Sequence, residues 1–158
     1  MAQPRCTVTM ATSLAHTRRG VAFLEHPAPY VDAKEIFDDL TPSSERYHRK
    51  SFDYWLADRH MPERFHGFKK SYEKSKYTQC FVFKNIEEKE RFYGFLCHPK
   101  PDDQRYQLCV LAVYAQKKEN AQDLAELERV ERMRKDPAVL AAIRDPRLFT
   151  EGVGKNYD

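Results

Sequence analysis

No stretch of the sequence approaches the roughly 18 consecutive apolar residues that a membrane-spanning helix requires. The first thirty residues also lack an apolar core of the length a secretion signal needs, and His16, Arg18 and Arg19 interrupt them. The four cysteines, Cys6, Cys80, Cys97 and Cys109, form no Cys-x-x-Cys pair, so the spacing of a zinc site is missing. Three of them fall in apolar, strand-like segments, where a free buried thiol is the usual occupant. There is no serine nucleophile elbow, no phosphate-binding glycine loop and no helical histidine pair. His60 and His66 straddle Pro62 and do not share a helix face. These absences lead us to expect a cytoplasmic protein with no membrane partner, no metal and no cofactor.

What is present suits one domain of 158 residues, 41% hydrophobic and 13% aromatic, with 32% charged residues. A disordered chain of this charge density would carry far fewer aromatics. The net charge of +3 is unevenly spread. Residues 41–118 hold 16 Lys and Arg against 10 Asp and Glu, whereas residues 1–40 hold 4 against 5 and residues 119–158 hold 7 against 9. A basic middle between slightly acidic flanks suits an anionic partner: RNA, DNA or an acidic protein.

The pattern divides the chain into an arm with one short helix (1–40), a single α+β domain (41–145) and a tail (146–158). Asp32 with Glu35 signals the short helix, at about 33–40. Thr41-Pro42 starts a longer one, ending near Arg59, with Tyr47, Phe52, Trp55 and Leu56 as inward candidates. Three strands follow, over Tyr77–Lys84, Arg91–Cys97 and Arg105–Ala115, joined by connections short enough for an antiparallel meander. Glu119–Lys135 is helical, with Leu124, Leu127, Val130 and Met133 on one stripe, and Asp136-Pro137 caps a further short helix. The expected fold is a three-stranded, or slightly larger, antiparallel sheet packed on N-terminal and C-terminal helices.

Chemistry-bearing residues cluster in the basic middle. Arg64, Lys69, Lys70, Lys74 and Lys76 alternate with aromatics ahead of the strands and are candidates for nucleic-acid binding. Arg91 and Tyr93 share one face of the second predicted strand, and Lys117-Lys118 closes the third. Such a surface can hold phosphates and stack bases. It can also cleave RNA without a metal if one group removes the 2′-hydroxyl proton, a cation stabilises the phosphorane and an acid protonates the leaving oxygen.

Two stretches carry a family resemblance. Arg91-Phe92-Tyr93-Gly94-Phe95, and the run from Leu108 through Lys117-Lys118 to Glu126-Leu127-Glu128-Arg129, are similar to the RelE/HigB-type toxins of bacterial toxin–antitoxin modules, over residues 45–135. The resemblance implies a RelE-like fold and a ribosome-associated, metal-independent endoribonuclease acting on mRNA and silenced by a cognate antitoxin. It implies that Arg91 binds the scissile phosphate, that Lys117 or Lys118 contacts RNA or assists proton transfer, and that Lys69 and Lys70 grip ribosomal RNA. Tyr93 would stack or act as an acid, and His98 is an outside candidate for acid or base. The alternative is a non-catalytic protein- or nucleic-acid-binding module of the same fold, encoded by a phage or mobile element.

Overall fold

The computed structural model describes residues 6–16, 18–26, 33–68, 76–118 and 121–149. In chain order the elements are β1 (Thr7–Met10), β2 (Arg19–Glu25), α1 (Ala33–Asp38), α2 (Pro42–Leu56), β3 (Phe65–Gly67), β4 (Cys80–Asn85), β5 (Glu90–Cys97), β6 (Gln107–Gln116), α3 (Leu124–Lys135) and α4 (Pro137–Arg144), then a 3-10 turn at Pro146–Phe149. Among the described residues no helix is long and apolar enough to cross a membrane.

The strands form one six-stranded sheet in the order β1-β2-β6-β5-β4-β3. The α+β class expected from sequence is correct, but the three-stranded antiparallel sheet is not. The expected meander is present as β4-β5-β6, antiparallel throughout. Beyond it, β3 pairs with β4 at one edge, and β2 pairs with β6 in parallel, from Arg19 opposite Gln107 to Phe23 opposite Leu111. β1 then completes the sheet antiparallel to β2. Residues 7–10 and 19–25, expected in an arm, are therefore strands of the sheet.

The physical reason for the misreading is the lack of a local signal. β2 reads Arg-Gly-Val-Ala-Phe-Leu-Glu, with Gly20 through Leu24 all buried. A strand covered on both faces is continuously apolar and shows none of the alternation that marks a half-exposed one. β3 has only three residues, too few for any period.

Each face of the sheet carries a separate core. On the α1–α2 face, Val21, Phe23, Phe37, Phe52, Trp55, Phe83 and Phe92 pack as an aromatic layer, with Phe37 and Phe52 stacked at 5.8 Å. On the other face, Ala22, Leu24, Val82, Tyr93, Phe95 and Val110 meet Leu127, Val130 and Met133 of α3 and Val139 and Ile143 of α4. α2 starts as its sequence dictates, with Thr41 accepting a hydrogen bond from the Ser44 amide at 3.2 Å and Pro42 in the first turn. Asp136 caps α4 in the same way through the Ala138 amide at 2.9 Å. The β5–β6 register shifts between Tyr93 and Gly94, and a Cβ on Gly94 would run into the Val110 carbonyl. Glycine at that bulge lets the two backbones approach closely.

Candidate functional site

Arg91 and Tyr93 project from β5 onto the α3 face and converge on one carboxylate, that of Asp123 just ahead of α3. Arg91 Nη1 donates to Asp123 Oδ1 at 2.6 Å and to the Ala121 carbonyl at 3.2 Å, while Nη2 donates to the Lys118 carbonyl at 2.6 Å. The Tyr93 hydroxyl donates to the same Asp123 oxygen. Arg91 is only 5% exposed. Asp123 stands at the N-cap position of α3 without capping it, because its carboxylate is turned to the sheet instead. Burial, reinforced by the hydrogen bond to Asp123, pushes the Tyr93 phenol far above its ordinary range, so it stays protonated as a donor. The arrangement fastens the segment between β6 and α3 onto the sheet.

Lys117 adjoins this cluster. Its ammonium pairs with Glu126 of α3 and donates to the Gln122 carbonyl at 2.5 Å. Lys118 contributes its backbone carbonyl to Arg91 and is itself exposed. The predicted residues Arg91, Tyr93, Lys117 and Lys118 are thus brought together, but the first three are each engaged with a carboxylate. His98 is not among them. It follows β5 at its far end, seven residues from Arg91, which at about 3.3 Å per residue is roughly 23 Å away. Its Nδ1 lies 3.0 Å from the Tyr106 carbonyl.

The cluster gains members that the sequence reading did not assign to it. His66 of β3 pairs with Val82, which pairs with Tyr93, so all three side chains share the α3 face. Lys84 pairs with Arg91 in the adjacent row. His66 Nδ1 lies 2.8 Å from the Gly67 carbonyl, which only accepts, so Nδ1 carries the proton and Nε2 holds a lone pair. Burial, opposed by the Gly67 hydrogen bond, lowers the His66 pKa, and the Lys84 and Arg91 charges push it the same way. Strand pairing alone joins His66 to the site, and nothing in a three-residue strand announces that pairing.

A second polar assembly lies across the sheet, on the outer side of α2. The Arg64 guanidinium stacks 3.9 Å from the Tyr47 ring centroid and 5.1 Å from that of Tyr54. Tyr54 also faces Arg59 at 5.4 Å and Lys50 at 5.8 Å. Arg64 is steadied by the Ser51 hydroxyl at 2.9 Å and the Tyr47 carbonyl at 3.4 Å. The sheet therefore separates Arg64 from Arg91, and the basic residues expected on one surface occupy two. Lys76 sits on the α3 side, 3.2 Å from Glu128, whose carboxyl is held below its usual range by the Tyr77 hydroxyl and by Lys76. Lys69, Lys70 and Lys74 lie outside the described residues.

Beneath α2, His48 is fully buried with Nε2 2.9 Å from Glu90 Oε1, enclosed by Phe37 and Phe92. The signal that points to it is spacing: His48 shares the inward stripe of α2 with Phe52 and Trp55. Among the described residues no group of three or more His, Cys, Asp or Glu side chains is arranged to hold a metal ion. No protein-family model matches the chain, and neither curated proteins nor solved structures provide a similar relative.

Proposed function

We propose that the protein binds single-stranded nucleic acid, RNA in particular, on the outer face of α2 and does not cleave it. The observation that carries this reading is Tyr54, half-exposed and flanked by three cations, with Arg64 layered between its ring and that of Tyr47. A base has a π face that stacks on tyrosine or on a guanidinium plane, and neighbouring Lys and Arg neutralise the phosphates on either side. The excess of basic residues over 41–118 favours the approach of such a ligand. The α3-face cluster supports the non-cleaving version, since Arg91 already spends its donors on Asp123 and two carbonyls.

Fluorescence anisotropy with a short labelled single-stranded RNA of mixed sequence tests the reading. Affinity should fall steeply as salt rises, because each neutralised phosphate releases counterions. Tyr54→Ala should weaken binding about tenfold, the usual loss of one stacking platform, and Arg64→Ala should do the same while flattening the salt slope. Binding that is absent at low salt, or unchanged in both variants, refutes the proposal.

A specific observation favours a second reading, the metal-independent ribonuclease. His66 presents an unprotonated Nε2 in the field of Lys84 and Arg91, the composition needed to deprotonate a 2′-hydroxyl beside a bound phosphate. The same RNA, recovered after incubation in a chelator and run on a denaturing gel, separates the two. Intact RNA upholds binding alone. Fragments that disappear with His66→Ala establish the nuclease and make the antitoxin-type partner the next object of search.

A further inference from the structure

The side of α2 away from Tyr54 forms one wall of a cleft of about 530 Å³, closed on the other side by the β1–β2 connection. That volume lies within the roughly 300–1,000 Å³ typical of small-molecule sites. Its apolar lining comes from Ala11, Ala15 and Leu56 over the buried Phe52, and its polar side chains are Thr12, Ser13, His16, Arg49 and Asp53. We propose that this cleft binds a free amino acid with an aliphatic side chain, its carboxylate on Arg49 and His16 and its ammonium on Asp53.

The orientation of each group points to a zwitterion. Arg49 and Asp53 stand one turn apart on α2, about 6 Å along the axis, which is ordinary spacing for an ion pair. They do not pair. Arg49 Nε is drawn to Glu45 at 2.7 Å and Nη1 to the Ala11 carbonyl at 3.3 Å, leaving Nη2 as a pair of N–H donors. Among the described residues the Asp53 carboxylate has no side-chain partner, so the cleft offers an open acceptor one helical turn from the Arg49 guanidinium. His16 Nδ1 accepts from the Arg19 amide at 3.1 Å and the Arg18 amide at 3.4 Å. Its proton therefore sits on Nε2, a second donor for a carboxylate. Ser13 Oγ accepts from the Ala15 amide at 3.1 Å, and its hydroxyl hydrogen remains available. Leu56, with Ala11 and Ala15, is the surface against which an aliphatic side chain loses its contact with water.

This proposal does not depend on nucleic-acid binding, which uses the opposite side of α2. The test follows backbone amide resonances of the full chain during titration with L-leucine, 4-methylpentanoate and 3-methylbutylamine. The last two keep the side chain but retain only the carboxylate or only the ammonium. L-leucine should shift the Ser13, His16, Asp53 and Leu56 amides saturably and bind at least tenfold more tightly than either analogue. Asp53→Asn should remove its advantage over the carboxylate, and Arg49→Gln its advantage over the amine, each with an unchanged melting curve. Equal binding of all three compounds, or shifts away from the cleft, overturns the assignment. So does an absence of shifts, or an affinity for L-leucine that is indifferent to both substitutions.

Discussion

At the scale of single residues, the decisive fact is that Arg91, which the sequence offers as a catalytic cation, is held by the Asp123 carboxylate and two backbone carbonyls. Its side chain and that of Asp123 are 6% and 15% exposed, so the pair is held where water compensates neither charge well. Removing one partner of such a pair leaves the other buried and unsatisfied. Arg91→Ala should therefore cost about 3 kcal/mol, lowering the melting temperature by roughly 6–12 °C for a chain of this size. The double variant Arg91→Ala/Asp123→Ala should recover part of that loss, because no stranded carboxylate remains. Urea unfolding of the two single variants and the double variant measures the coupling, and strictly additive losses would refute it. Any functional defect of Arg91→Ala has to be weighed against this instability.

His66 supplies a second prediction at the same scale. Its folded pKa lies below the ordinary 6.5, chiefly through burial, so the folded chain binds fewer protons than the unfolded one below that value. Fewer bound protons in the folded state means that stability rises with pH across this window. Acidification from neutral pH should thus destabilise the protein from about pH 6.5 downward. His66→Gln should flatten that part of the profile while leaving stability at pH 8 nearly unchanged. Unfolding free energies at a series of pH values provide the check, together with the imidazole titration by NMR. An imidazole midpoint above 6.5 would contradict the proposed environment.

At the scale of elements, legibility tracked how local each signal is. The start of α2 was readable because capping is local: Thr41-Pro42 specifies it without tertiary help. Short connections and runs of aromatic and branched residues made the β4-β5-β6 meander readable, although its strands are buried as continuously as β2. β2 was not, since its parallel partner lies more than eighty residues away and leaves no local trace. β3 became a strand only through β4, and with it went the chance of placing His66 on the face of Tyr93, across Val82, from sequence. The convergence of Arg91, Tyr93 and Lys117 was half visible: β5 alternation put the first two on one face, but Asp123, the group that neutralises Arg91, belongs to a different element. Two basic patches were read as one because strand parity fixes a side chain's face only relative to its own sheet, and Arg64 lies ahead of a strand whose face was unknown.

At the scale of the whole molecule, the sheet is a partition with one core on each side, and β2 is shared by both. Phe23 packs against Phe37 at 4.9 Å and Phe92 at 6.1 Å on the α1–α2 side, while Ala22 and Leu24 belong to the core under α3 and α4. β2 also occupies the edge of β6 that would otherwise be open, and β1 covers β2 in turn. A chain lacking residues 1–26 would therefore lose buried side chains from two cores and expose the unpaired backbone of a ten-residue apolar strand. Such a truncation should not behave as a folded domain that has merely lost an arm. We expect it to be insoluble or molten, with near-UV circular dichroism lost, dye-accessible apolar surface and no cooperative thermal transition. If the truncated protein instead melts cooperatively near the temperature of the intact chain, β1 and β2 are dispensable and the integrated six-stranded sheet does not describe its folding unit. Because Arg19 joins β2 to α2 through the Trp55 carbonyl and an ion pair with Asp58 at 3.2 Å, the truncation should also loosen α2. Nucleic-acid binding on the outer face of α2 should then be lost, although no deleted residue belongs to that face.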